Sequence, residues 1–327
     1  MKKIYRKNAI FIVCLAALLL TACTAPQQSA QDGRYDLLFG ASSTAGMAYR
    51  WVTPLCDLIN TYSDVLTASA ITTLGSSENI NLLAANEVDF GTSTTIVAYS
   101  AASGQLDWVG KPVSDLTLAS YMYSDYCYIC VPESSQIEGV QDLKGMRVNI
   151  GEKGGGVYTG VLQVFSALGI PEEGYLKPYY LSMSEAVSSV MDGSLDALIV
   201  YGSPNNSSIS EMQASKAGLK VVGFTSEEIE KICSACPILK ETVMQESYPG
   251  IPPIVTVGGD MCLFCRADLP EEVTYELTRI INEHHDEFTQ AMAWAGQSTL
   301  ENTKNAANDL LPLAKGTEQY MIGSGIQ

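Results

Sequence analysis

Histidine is almost missing from this chain: His284 and His285 are the only two in 327 residues, side by side in the acidic stretch Asn282–Glu287. Successive helical residues lie about 100° apart, so this pair cannot offer two ring nitrogens to one metal as an i, i+4 pair does. Histidine-dependent zinc sites, triads and acid–base pairs therefore have almost no candidates, and both rings read as solvent-facing. Basic residues are scarce as well, 19 Lys and Arg against 36 Asp and Glu, for a net charge of −17. Without a basic cluster to track phosphates, nucleic acid is excluded as a partner, and an anionic lipid surface is disfavoured. Nucleotide and hydrolase signatures are missing too. Gly154-Gly155-Gly156 does not complete GxGxxG because Thr159 stands where the last glycine belongs, no Gly-Lys-Ser/Thr follows, and no GxSxG occurs. The acidic pairs Glu172-Glu173 and Glu227-Glu228 read as first-turn helix residues. The expectation is a protein that is not an enzyme and uses no cofactor or metal.

Long apolar runs are also lacking. The segment Ala9–Leu20 has 12 residues, short of the roughly 18 to 20 that span a bilayer. It follows Lys2, Lys3, Arg6 and Lys7 and precedes Leu20-Thr21-Ala22-Cys23, the pattern of a bacterial export signal. The last four residues resemble a lipobox, so residues 1–22 are expected to be a lipoprotein signal peptide. Cys23 would then carry the lipid that holds the protein to the outer side of the cell membrane. Loss of the four leader cations would take the charge from −17 to −21. Residues 23–34 read as a polar tether.

Cysteine is not scarce: nine occur, in part as three CxxC spacings. Cys127/Cys130 and Cys262/Cys265 lie in apolar stretches that read as strands, where residues three apart face opposite ways. They are expected to be small buried hydrophobes. Cys233-Ser234-Ala235-Cys236-Pro237 leaves a disulfide or a reactive thiol open.

From Tyr35 on, short β-rich runs alternate with helical patterns, which predicts α/β lobes with largely parallel sheets. Strands are expected at Asp36–Phe39, Val65–Ile71, Asp89–Gly91, Arg147–Ile150 and Leu195–Val200. Helices are expected from the Gly40–Gly46 loop to about Asn60, from a Ser76 or Ser77 cap through Ala85, over Val140–Lys144 and Val157–Leu168, over Ala186–Met191 with Gly193 as C-cap, and over Pro270–Trp294. Leu82–Gly91 and Val187–Ala197 look alike: a helix end, a turn tolerant of left-handed backbone, then an acid opening a strand. Two lobes of related topology would show this. Residues 35–127 with 265–327 form the expected lobe one and 128–264 lobe two, joined by crossings near 127–131 and 261–265.

Ligands of open α/β sheets sit at the carboxyl ends of strands. There this chain places five loops rich in hydroxyls and glycine: Ala41–Thr44, Thr72–Ser77, Thr92–Thr95, Gly154–Gly156 and Tyr201–Asn205. Backbone N–H groups and helix starts suit a carboxylate or another small oxyanion. Tyr201 is a candidate ligand contact on this ground.

In order along nearly the whole chain, these residues resemble the TAXI proteins, the extracytoplasmic solute receptors of one class of tripartite ATP-independent (TRAP) transporters. The match runs through Gly40–Asn60, Gly75–Leu83, Asp89-Phe90-Gly91, Asp142–Val148, Asp192–Ala197, Arg266–Glu271 and Pro312–Glu318. The resemblance implies a type II periplasmic-binding-protein fold, α/β with two lobes joined by two hinge crossings. It further implies a glutamate-like amino acid or dicarboxylate as ligand, and a sodium-coupled permease as partner. Family binding loops carry over onto Ser42, Ser43, Thr44 and Tyr49, onto Ser93 and Thr94, and onto Gly154, Gly155, Gly156 and Val157. The family's G-S-G-T reads here Gly154-Gly155-Gly156-Val157, its glutamine is Thr94, and Ala48 and Arg50 replace a tyrosine and a proline. Arg50 either supplies charge to an anion or faces solvent. A sensory receptor that presents its ligand to a membrane kinase is the alternative reading.

Overall fold

A computed structural model describes residues 33–326 apart from 45, 205, 246 and 247. The leader, Cys23 and all of the tether before Gly33 lie outside the described residues.

The first half opens with β1 (Tyr35–Gly40), α1 (Met47–Tyr62), β2 (Leu66–Ile71), α2 (Ser76–Ala84), β3 (Phe90–Thr94) and α3 (Thr95–Ala102). The chain then runs along β4 (Leu116–Val131) into β5 (Arg147–Asn149), α4 (Gly156–Leu168), β6 (Lys177–Tyr179), α5 (Met183–Met191), β7 (Ala197–Gly202) and α6 (Ser207–Ala214). After β8 (Lys220–Val222), α7 (Ser226–Ala235) and β9 (Lys240–Met244), β10 (Ile254–Arg266) returns it to the start. It closes with α8 (Glu271–Glu283), α9 (His285–Ala291), α10 (Leu300–Ala306) and α11 (Lys315–Gly323).

All ten strands join one sheet in the order β2-β1-β3-β10-β4-β7-β5-β6, with β8 on β4 and β9 on β10. The parallel pairs lie at its two ends, β1 with β2 and β3, and β5 with β6 and β7. The middle is antiparallel, so the sheet is mixed instead of largely parallel. β4 and β10 are the two crossings. Met261–Cys265 of β10 pair with β3, whereas Ile254–Gly258 pair with β9. Tyr126–Cys130 of β4 pair with β7. Pairing thus changes at about 258–260 in β10, which exchanges β9 for β3, and at about 124–126 in β4, which keeps β10 and gains β7, earlier along each strand than the stretches expected to be the crossings.

Apolar spacing explains what packs where. Trp51, Val52, Leu55, Leu58 and Ile59 share one face of α1, and Val273, Leu277, Ile280 and Ile281 one face of α8. Both faces enter the same core, so the chain after β10 packs on the first half. A separate cluster that includes Tyr128, Cys130, Val187 and Leu198 fills one face of the second half. The largest cluster runs between the halves, from Ile80, Leu83 and Val97 to Val161, Val164 and Phe165.

Other expectations change in detail. The helix expected over 270–294 is interrupted at His284, whose ring stacks on Tyr62 at 3.7 Å. Both histidines are half-buried instead of solvent-facing. Neither Ser76 nor Ser77 caps α2; its N-cap is Gly75, because both hydroxyls go to distant partners. Asp192 is the C-cap of α5, and Gly193 follows it with φ +80°. Cys127 and Cys130 pack into different clusters, as do Cys262 and Cys265, in keeping with opposite faces.

Candidate functional site

Two matching units build the site. β1-α1-β2-α2-β3 pairs its strands in the order β2-β1-β3, and β5-α4-β6-α5-β7 in the order β6-β5-β7. In each, an acid just before the third strand clamps the first. Asp89 Oδ2 accepts the Leu38 N–H at 2.8 Å and Asp89 donates its own N–H to the Leu38 carbonyl. Asp196 does the same with Arg147, at 2.8 Å. The Arg147 guanidinium also pairs with Asp196 and holds its carboxyl below the usual range. The resemblance between Leu82–Gly91 and Val187–Ala197 thus reflects one hydrogen-bond arrangement used twice.

Parallel strands followed by helices put every helix start at the same sheet edge. A cleft of about 240 Å³ lies between the two edges. The starts of six helices line it: Gly46–Ala48 of α1, Leu74–Ser76 of α2, Thr94 before α3, Gly156-Val157 of α4, Met183 of α5 and Asn206 before α6. Each helix has eight residues or more. Helix N-termini carry partial positive charge and N–H groups without intrahelical acceptors; here Ser42 Oγ takes the Tyr49 N–H of α1, Glu185 the Ser182 N–H before α5 and Asn206 Oδ1 the Ser208 N–H of α6. The N-caps of α1 to α4, Gly46, Gly75, Thr94 and Gly155, give no side-chain cap, and α1, α3 and α4 have no acid in the first turn. α6 is capped by Asn206 inside the cleft, as α7 and α10 are by Thr225 and Thr299 outside it. The cleft can therefore hold an oxyanion on backbone amides.

Tyr123, Asp125 and Met261, from the crossing strands, also line the cleft. Asp125 is its single charged lining residue among those described. It is 1% exposed, and neither carboxylate oxygen has a hydrogen-bond partner. Burial, and then the nearby Asp260 carboxylate, push its pKa up to about 8. The Tyr201 hydroxyl and Thr94 Oγ1 are also buried without partners. Tyr201 is held closely, since a Cβ on Gly160 would sit 2.7 Å from its ring and one on Gly259 2.7 Å from its hydroxyl. Burial drives the Tyr201 pKa well above its ordinary value, so the hydroxyl stays neutral.

Five of the expected contact residues line this cleft: Ser42, Thr94, Gly156, Val157 and Tyr201. Six do not. Ser43 and Thr44 are exposed on the outer part of the turn before α1, where the Ser43 carbonyl accepts from Gly46. Tyr49 packs against the first-half core, its N–H held by Ser42 Oγ at 3.1 Å. Ser93 alternates away from Thr92 and Thr94 and is fully buried. Gly154 and Gly155 form the turn before α4, with the Gly155 N–H given to the Glu152 carbonyl. Arg50 is exposed and does not line the cleft.

Sequence reasoning missed Asp125, Tyr123, Met183, Asn206 and Met261. One signal was available: Asp125 is the single charge in the 16-residue strand Leu116–Val131. A lone acid in such a run asks for a reason.

The halves meet directly beside the cleft. Ser77 and Thr159 share a hydrogen bond of 2.9 Å, and Gln163 Nε2 donates to Ser100 Oγ and to Gln105 Oε1.

Solved structures share this fold at low identity. A Bordetella bronchiseptica protein is 12% identical with a TM-score of 0.55, over 91% of this chain and 99% of its own. A chain from the Streptococcus mutans system for glutathione import via GshT and the cystine ABC importer TcyBC is 12% identical with a TM-score of 0.52, over 83% and 99%. A Xanthomonas citri protein bound to chloride is 10% identical with a TM-score of 0.52, over 88% and 99%. Residues 39–325 match the model of the NMT1-like family, and the chain belongs to that family.

Proposed function

We propose that this protein is an extracytoplasmic solute receptor, tied to the membrane by a lipid on Cys23, that closes its two lobes over a small carboxylate-bearing ligand. The observation that carries this reading is the convergence of six helix starts on one cleft with no Lys or Arg among its described lining residues. Such amide donors hold small oxyanions, a carboxylate among them. The lobes part by bending near 124–126 and 258–260, where the crossing strands change pairing, and the ligand holds the closed state by touching both sides. Among the described lining residues no nucleophile is hydrogen-bonded to a base, which favours a receptor over an enzyme.

Delivery to a sodium-coupled TRAP permease is the partner the TAXI resemblance supports. The Streptococcus mutans neighbour, described together with an ABC importer, makes an ABC permease the competitor. A thermal-shift screen of amino acids, monocarboxylates and dicarboxylates tests the receptor reading. Ligand at roughly a hundred times its Kd adds about 2.7 kcal/mol, a rise of about 5 °C. No shift with any of them, together with no ligand mass retained by natively purified protein, would remove it. Sodium-dependent uptake into vesicles carrying a TRAP permease from the same genome tests the partner.

A further inference from the structure

The cleft holds an acid where an anion receptor would be expected to hold a base. Asp125 lies on β4 at the change of pairing, almost fully buried, with both oxygens free of hydrogen bonds among the described residues. Tyr201 OH and Thr94 Oγ1 line the same cleft, equally buried and equally unpaired. Lys240 bears on Asp260 and lines a neighbouring hollow of about 150 Å³; it does not line the cleft. A buried carboxylate without a partner is strongly disfavoured, so a native site that keeps one has a use for it.

We infer that Asp125 seats a positively charged nitrogen of the ligand, making the solute a small zwitterion with an apolar body instead of a dicarboxylate. This rests on the receptor reading and narrows it. The carboxylate lies on the helix starts and the ammonium on Asp125, with Tyr201 and Thr94 as flanking hydroxyls. Met47, Met183, Val200 and Met261 supply the apolar wall. A second carboxylate would meet no basic side chain in this wall and would add negative charge beside Asp125 and Asp260. Both charges of a zwitterion find an opposite field; a dianion finds one favourable field and one hostile.

Protonation gives the two ligand classes opposite signatures. The titratable groups facing Asp125 are Asp260 and Cys262 on β10, Tyr201 on β7, and Tyr121, Tyr123, Tyr126 and Tyr128 on its own strand. The tyrosines and Cys262 are all shifted upward and stay neutral across neutral pH. Asp125 carries a proton at pH 6 and must release it to solvent before its carboxylate pairs with an ammonium, so binding of a zwitterion releases a proton. A dicarboxylate binds best while that proton stays.

The test is calorimetric titration of the purified protein with the twenty amino acids, their deaminated acids (L-valine against 3-methylbutanoate, L-alanine against propanoate) and succinate. The expected result is at least one amino acid bound a hundredfold more tightly than its deaminated acid and than succinate. Its Kd falls by up to about tenfold per unit between pH 6 and 7. Asp125→Asn removes both the preference and the pH slope. Succinate or deaminated acids that bind as well as the amino acids, or affinity that weakens as pH rises, would overturn the inference and leave the receptor reading standing. Binding of none of these probes would overturn both. The wild-type pH slope and probe comparison decide even if the variant does not fold.

Discussion

A carboxylate inside a protein is held by a cation, by donor hydrogens or by its own proton, and Asp125 has only the third among the described residues. This sets a stability profile that can be measured without knowing the ligand. In the unfolded chain the group ionises near its ordinary 3.8, but in the folded cleft it keeps its proton to about 8. Between those values the folded state binds the extra proton. Its contribution to stability is therefore complete below about pH 4 and is lost as pH rises to 8, at up to about 1.4 kcal/mol per unit. Carboxylates held low by partners, such as Asp196 beside Arg147 and Glu276 beside Arg279, act in the opposite sense and only at acid pH. Urea unfolding of ligand-free protein should show stability falling from pH 5.5 to 8. Asp125→Asn should flatten that fall and be the more stable protein at pH 8, by about 1 to 3 kcal/mol. A wild-type slope of zero would show that Asp125 is ionised and partnered in the folded state. Near this residue the sequence was only partly readable. Thr94 and Tyr201 stand at strand ends that turn chemistry marks, whereas Asp125 sits mid-strand, where burial depends on partners that no local pattern reveals.

At the scale of elements, the duplicated βαβαβ unit accounts for the aim of the helix starts, and single glycines account for how closely they approach. A Cβ on Gly156, the first residue of α4, would lie 2.6 Å from Ser76 Oγ and 2.9 Å from Ser76 Cβ, at the first residue of α2. Ser76 Cβ cannot move without its backbone, and Ser76 Oγ is held by the Thr94 N–H, so Gly156→Ala must push the two helix starts apart. Calorimetry with the best ligand of the thermal-shift screen should then show affinity lost by tenfold or more, with Tm changed by only a few degrees because alanine favours helix. Adding Ser76→Gly should restore binding; additive losses in the double variant would place the effect elsewhere. Asn79 is the companion clamp. Its Nδ2 donates to the Ala41 and Thr92 carbonyls at 2.7 and 2.8 Å, tying α2 to the loop after β1 and to strand β3. Asn79→Ala should destabilise by about 2 to 4 kcal/mol in urea. Most helices and parallel strands were legible because their apolar periods are local. The crossings were not: β4 and β10 were visible only as Cys127–Val131 and Met261–Cys265. Ser124 and Asp125, and Gly258, Gly259 and Asp260, break the β pattern where each strand changes pairing. The hydroxyls of Ser76 and Ser77 misled for a related reason. As local caps they would be ordinary, but the fold spends them on Thr94 N–H and on Thr159.

For the whole molecule, the contact between halves decides what a ligand has to do. The Ser77–Thr159 hydrogen bond, the two bonds from Gln163 and the apolar cluster from Val97 to Phe165 already join the lobes beside the cleft. The proposed opening would have to break these along with any ligand contact, so closure would draw on protein–protein contacts as well as on the solute. The Ser77–Thr159 pair offers a direct handle, because its oxygens approach to 2.9 Å across the gap. Side chains that close can accept a disulfide when their Cβ atoms are suitably placed. Ser77→Cys with Thr159→Cys should oxidise to a crosslink that holds the lobes shut. Ligand added after oxidation should then bind at least a hundredfold more slowly in stopped-flow measurements, and dithiothreitol should restore the wild-type rate. The same crosslink formed with ligand already bound should slow its release to a similar degree. Native thiols offer little competition, since five of the seven in the described residues are buried strand or helix residues and burial raises Cys236 to about 11. Unchanged association in the fully crosslinked protein would mean that the solute enters without the lobes parting, and a bending hinge at 124–126 and 258–260 would then have no part in capture.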